Sequence, residues 1–297
     1  MNNPMHRRDA LKKVATGAAA LAATRAFANQ NETSEAMSMP TSDLKRNIHH
    51  SACRWCYKDI ELDELCRRGK EVGLEALDLV NVDEIPTLRE NGLDPSLIWG
   101  VPGGIVSGLN RLENHDNIVS FFETNIPQVA NAGAKRVICF SGNRDGLDDE
   151  EGLENCKIGL QRITPIAEKH GILVVMELLN SKRNHPDYQC DHTAWGVELV
   201  KRVESEAFKL LYDIYHMQIM DGDVIATIQE NHPYFGHYHT GGVPGRHEID
   251  ETQELFYPAI MRAILETGYD GYVAQEFVPS WEDPIAALAQ GIRICDV

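Results

Sequence analysis

Residues 150–177 read EEGLENCKIGLQRITPIAEKHGILVVME and contain the unit from which the rest of the chain is built. A helical pattern runs over 150–171 and stops at Gly171, because glycine alone adopts a left-handed helix end without strain. The next six residues, ILVVME, are apolar until the last, the pattern of a strand buried on both faces. Working outward, the same pair recurs. Strands are expected at 47–51, 74–80, within 96–104, and at 136–140, 172–177, 208–213, 234–240 and 271–277. Helical patterns follow each of them, at 62–73, 83–92, 115–133, 150–171, 193–204, 223–232, 253–268 and 283–295. Strict β/α alternation requires a parallel sheet, since each helix returns the chain to the same edge. A doubly wound open sheet is disfavoured, because no GxGxxG follows the first strand and no GxxxxGK[ST] occurs. The glycine-rich GVPGG at 100–104 lacks phosphate-loop spacing and reads as a turn. Eight units within about 250 residues predict a single-domain (β/α)8 TIM barrel.

In such a barrel the chemistry lies where the strands end. Glu177 ends ILVVM, Asp213 ends FKLLY, His239 ends YFGHY and Glu276 ends GYVAQ. The intervals of 36, 26 and 37 residues are about one β/α unit each, so adjacent strands present all four at one mouth. Taken singly, each would be an ordinary solvated strand end. Together, three carboxylates would repel one another unless a cation or protons intervened. Carboxylates and imidazole suit one divalent metal ion such as Mn²⁺, Mg²⁺, Co²⁺ or Zn²⁺. His237, two residues before His239, shares its face one layer deeper.

The segments VVMELLN (174–180), LYDIYHMQ (211–218), HYHTGGVPGRHEID (237–250) and YVAQEF (272–277) resemble the xylose-isomerase-like barrel superfamily, and within it the hydroxypyruvate isomerase family. The resemblance spans about residues 48–290; PGRHE and D-x-x-H are its more specific parts. It implies a divalent metal held by Glu177, Asp213, His239 and Glu276, with Glu177 and Glu276 as the catalytic acid/base pair. His216 resembles the family's substrate-binding histidine. By position, Arg246 would reach a substrate oxygen or carboxylate, and His247 and Glu248 would stand beside the substrate or in a turn. His185 and Asp187, in the loop after the fifth strand, could form a lid. The third metal position of hydroxypyruvate isomerases is often Gln, and His239 is closer to the ketose 3-epimerases. The expected reaction is proton transfer next to a carbonyl through an enediolate, interconverting hydroxypyruvate with 2-hydroxy-3-oxopropanoate or acting on a related keto-sugar. Return of the proton to the neighbouring carbon isomerises; return to the opposite face of the same carbon epimerises. A periplasmic sugar-binding protein would need no acid/base pair. A phosphodiester-cleaving barrel would need more histidine ligands.

Residues 1–28 read as a leader. Arg7-Arg8-Asp9-Ala10-Leu11-Lys12 resembles the twin-arginine export motif, followed by a short apolar run and Ala26-Phe27-Ala28, an A-x-A cleavage pattern. That apolar run is too short to span a ~30 Å hydrocarbon core. Residues 29–46 read as a polar tether, and 47–297 as the barrel. The whole chain of 297 residues carries 28 Lys+Arg, 45 Asp+Glu and a net charge of −17; without the leader the charge is −21. This acidity argues against nucleic acid and anionic membrane surfaces as partners, and no transmembrane span is expected. The expected partners are a small keto-acid or keto-sugar and the twin-arginine export machinery, with a periplasmic location. A homo-oligomer remains open. Seven scattered cysteines, including Cys53-Arg-Trp-Cys56, read as packed or loop thiols rather than a disulfide framework or a metal site. His49 and His50 carry no functional signal.

Overall fold

The helix Asp149–His170 begins where the Asp148 side chain accepts a hydrogen bond from the Glu151 amide at 2.8 Å, and its first turn holds three acidic residues against the helix dipole. It ends at Gly171, whose φ of 64° turns the chain directly into the strand Leu173–Glu177. The computed structural model describes residues 43–297, and this unit is repeated around it. The strands are β1 His49–Cys53, β2 Ala76–Asp78, β3 Asp94–Pro95, β4 Arg136–Cys139, β5 Leu173–Glu177, β6 Phe208–Asp213, β7 Phe235–Thr240 and β8 Tyr272–Gln275. The helices among the described residues are α1 Leu62–Val72, α2 Ile85–Glu90, α3 Leu112–Asn131, α4 Asp149–His170, α5 Thr193–Val203, α6 Ile214–Met220, α7 Val224–Asn231, α8 Tyr257–Glu266 and α9 Pro284–Cys295.

All strand pairs are parallel, in the order β3-β2-β1-β8-β7-β6-β5-β4. The sheet curls until its ends meet at Ile98. Ile98 bridges Val80 on one side and Val137 on the other; its amide donates to Arg136 O at 3.0 Å and its carbonyl accepts from Ile138 at 3.2 Å. The barrel expected from the alternation is therefore present. The third strand differs from expectation: its ladder with β2 starts at Asp94, before the predicted range of 96–104, and most of that range is loop. Residues 102–106 turn there, as the glycine pattern predicted.

Strand interiors are buried on both faces, with Val174, Val175, Met176, Leu210, Leu211 and Tyr238 at the centre. Helix α5 approaches closely enough that a Cβ on Gly196 would lie 2.8 Å from Leu210 Cδ1. Helix α6 was not expected. Its seven residues, IYHMQIM, are almost uniformly apolar and buried, so no periodicity marks them. Residues 44–46 fell within the expected tether, yet the Lys45 and Arg46 amides donate to Asp296 at the opposite end of the chain. The leader over 1–28 and residues 29–42 of the tether lie outside the described residues. No described helix is long and apolar enough to cross a membrane.

Candidate metal and acid–base centre

The ends of β5 to β8 converge. Asp213 and His239 are direct register partners on β6 and β7, Glu177 closes β5, and Glu276 follows β8. One ligand atom from each of these four buried side chains lies within 4.8 Å of the others. His239 Nδ1 faces Glu276 Oε2 at 2.7 Å and Glu177 Oε1 at 3.5 Å. Glu177 Oε1 is buried without a hydrogen-bond partner. Three carboxylates, one of them with this unsatisfied buried oxygen, and one imidazole nitrogen form a donor set that fits a divalent cation.

Arg246 supplies positive charge beside this cluster. Its Nη2 lies 2.7 Å from Glu276 Oε2 and 3.4 Å from Asp213 Oδ2. The guanidinium lies over the Trp55 and Tyr215 rings, 5.2 and 5.4 Å from their centroids, at a residue in the left-handed region with φ of 60°. Trp55 Nε1–H donates to Glu276 Oε1 at 2.8 Å.

These contacts divide the two glutamates. Burial, with Glu276 beside it, raises the Glu177 carboxyl above its ordinary pKa. Burial would raise Glu276 as well, but Arg246 and His239 outweigh it and hold Glu276 well below the usual range. Burial raises Asp213 well above the usual range despite Arg246. Burial also disfavours charge on His239, but Cys53, Glu276 and Asp78 around the ring raise it well above an ordinary histidine. Two carboxyls with opposed proton affinities in one site are a recurrent acid/base arrangement.

Asp213 also caps α6, accepting from the His216 amide at 3.1 Å. That cap turns the His216 ring back, with Nε2 3.6 Å from Asp213 Oδ2. The Asn180 amide donates to His216 Nδ1 at 3.1 Å, so the ring proton sits on Nε2, which has no hydrogen-bond partner. Burial keeps this histidine neutral, well below its ordinary pKa. His216 thus offers one free donor beside the carboxylates.

A cavity of about 460 Å³ opens onto the cluster, lined by Glu177, Glu276, Arg246, His185 and an aromatic wall of Trp55, Trp99 and Phe140. Two expected residues lie elsewhere. His247 is exposed and its Nδ1 is 3.0 Å from Val278 O; Asp187 Oδ2 accepts from the Asp145 amide. Glu248 is buried and binds Ser280 and Trp281, tying the 241–250 loop to the segment after β8. His237 lies one layer below His239, as the strand period implied, with Nε2 2.6 Å from Asp78 Oδ2. All seven cysteines are free.

Trp55, Asn180 and Asp78 join the site without having been singled out from sequence. Asp78 carried a signal: it is a carboxylate with apolar residues on both sides in ALDLV (76–80), at the same strand end as the other four.

A family model described as "Xylose isomerase-like TIM barrel" matches residues 87–295. A Danio rerio protein that carries a hydroxypyruvate isomerase name is 28% identical over 242 residues, covering 76% of this chain and 87% of that protein. A 2-oxo-tetronate isomerase of Pectobacterium atrosepticum is 26% identical over 241 residues, covering 75% and 88%. Among solved structures, an AP endonuclease family 2 protein of Brucella melitensis superposes with a TM-score of 0.72 at 26% identity, covering 85% of this chain and 98% of that one.

Proposed function

We propose that this chain, which belongs to the xylose isomerase-like TIM barrel family, is a metal-dependent aldose–ketose isomerase acting on hydroxypyruvate or a related keto-sugar. That it is an isomerase rests on the named relatives. The observation that carries the finer reading is the glutamate pair: Glu177 and Glu276 share one buried cluster with Asp213 and His239, and their proton affinities are driven apart. A divalent ion bound by these four residues would polarise the substrate carbonyl and bear the negative charge that develops on its oxygen.

The protein's own groups do the rest. Glu276, held ionised, takes the proton from the carbon next to the carbonyl. The C–H electron pair moves into the new C=C bond and the carbonyl pair onto oxygen, giving the enediolate. Glu177, with its raised proton affinity, delivers a proton to the former carbonyl carbon. The hydroxyl proton of the adjacent carbon passes to the former carbonyl oxygen, and the adjacent C–O becomes the new carbonyl. Exchange with solvent resets the two glutamates. His216 Nε2–H donates to a substrate oxygen. Arg246, which lines the cavity, would donate from its guanidinium to a substrate oxygen.

Delivery of the proton to the opposite face of the same carbon would make the enzyme a ketose 3-epimerase. His239 as third ligand favours that second reading. A phosphodiester-cleaving role has less support, because the cluster contains one histidine and the chain carries a net charge of −17.

The test is isotope exchange. The protein, stripped with chelator and reloaded with Mn²⁺, is incubated in D₂O with hydroxypyruvate and a panel of ketoses, and the labelled carbon is identified. Label with conversion at the neighbouring carbon supports isomerisation; label with inversion at one carbon supports epimerisation. Glu276→Gln is expected to lower turnover about 10²- to 10⁴-fold. No exchange into any substrate would overturn both readings.

We further propose that residues 1–28 direct export by the twin-arginine route, placing the enzyme in the periplasm; the motif Arg7-Arg8 and the Ala26-Phe27-Ala28 site support this.

A further inference from the structure

Directly below the four-residue cluster lies a second buried group that the reaction does not use. Asp78 ends β2 and is fully buried. Its Oδ2 lies 2.6 Å from His237 Nε2 and 2.8 Å from the Ser96 hydroxyl. Its Oδ1 lies 3.1 Å from His239 Nε2 and 3.7 Å from the Cys53 thiol. Four donors converge on one carboxylate from β1, β7 and the end of β3. Asp78 is thus surrounded by donors, whereas Glu177 above it retains an oxygen without a partner.

The two nitrogens of His239 therefore face opposite ways, Nδ1 up to Glu177 and Glu276, Nε2 down to Asp78. A histidine binds a cation through a lone pair, and the nitrogen that lacks the proton is set by the hydrogen bond made at the other. We propose that Asp78 is the positioning residue of the metal centre: by accepting the Nε2–H of His239 it fixes the ring's tautomer and angle, presenting Nδ1 to the cation. This rests on the metal reading above. Cys53, Asp78 and His239 could instead be ligands of an inner cation, and that alternative makes the opposite demand, a lone pair on Nε2.

Asp78→Asn keeps the shape and an oxygen for the Nε2–H while removing the charge. Titration of chelator-stripped protein with Zn²⁺ or Mn²⁺ alone, by calorimetry, is expected to show affinity weakened about 10- to 100-fold, with the circular dichroism spectrum of the metal-free protein unchanged. In a His239→Gln background the same substitution is expected to have no further effect, because the linking ring is gone. Equal affinity in wild type and Asp78→Asn would overturn the positioning role while leaving the metal reading standing; no Zn²⁺ or Mn²⁺ binding by wild type would overturn both. If Asp78→Asn fails to fold, wild type suffices: ¹⁵N-histidine NMR of the Zn²⁺-loaded protein should place metal on His239 Nδ1 and a bonded proton on Nε2. Metal on Nε2, or no proton there, overturns the proposal.

Discussion

Glu177 and Glu276 are the same residue type at the same barrel end, and their neighbours alone separate them. Glu276 receives Trp55 Nε1–H, faces His239 and lies against Arg246, whereas Glu177 keeps one oxygen without a hydrogen bond. A consequence concerns metal loading. Because Asp213 is raised well above the ordinary carboxylate range, it binds a proton in the metal-free protein at pH values where ordinary carboxylates do not. A cation must displace that proton, so affinity should increase as pH rises through the raised carboxyl range and level off above it. Calorimetric Mn²⁺ titrations from about pH 5 to about pH 8, in two buffers of different ionisation enthalpy, check this; binding without proton release at the lower pH would contradict it. Residue types at strand ends were legible in sequence, and so was the convergence of Glu177, Asp213, His239 and Glu276. Their proton affinities were not, because Arg246, Trp55 and Asp78 come from distant parts of the chain.

At the scale of elements, each helix start and stop that carried a capping residue or glycine was readable, since those signals are local. Helix α6 was not, because a short segment buried on most sides shows no polar face. It matters chemically, for its cap is Asp213 and its third residue is His216. The loops at the barrel mouth depend on close backbone approach. A Cβ on Gly142 would lie 2.4 Å from Asn110 Oδ1 and 2.6 Å from the Gly108 nitrogen, at a φ of +96°. Gly142→Ala should therefore lower stability by at least about 2 kcal/mol, or roughly 4–8 °C in Tm. Gly146, also at positive φ but with nothing within 4 Å, is the control: its alanine variant should lose about half as much or less. Equal losses in the two melting curves would show that conformation, not crowding, governs this loop.

At the scale of the whole molecule, the chain combines a closed parallel barrel with strong acidity. Part of that acidity lies in the ligand cluster, where a cation would offset it. The export reading belongs to this scale, because it decides which metals and substrates the folded enzyme meets. Replacing Arg7 and Arg8 together by Lys should leave the protein unprocessed inside the cell, whereas the unaltered chain should yield an N-terminus at Asn29; fractionation and intact mass measure both. Processing unaffected by the double substitution would remove the twin-arginine assignment. By itself, the sequence determined the alternation of strands and helices, the parallel barrel and the four polar residues at the ends of its last strands, since each follows from periodicity within about one β/α unit. Only the tertiary structure decided that Asp78 meets His239 across 161 residues of chain, that Arg246 lies over Trp55 and Tyr215, and that His247 points away from the cavity. These depend on barrel closure and loop path, which bring together side chains that no local pattern connects.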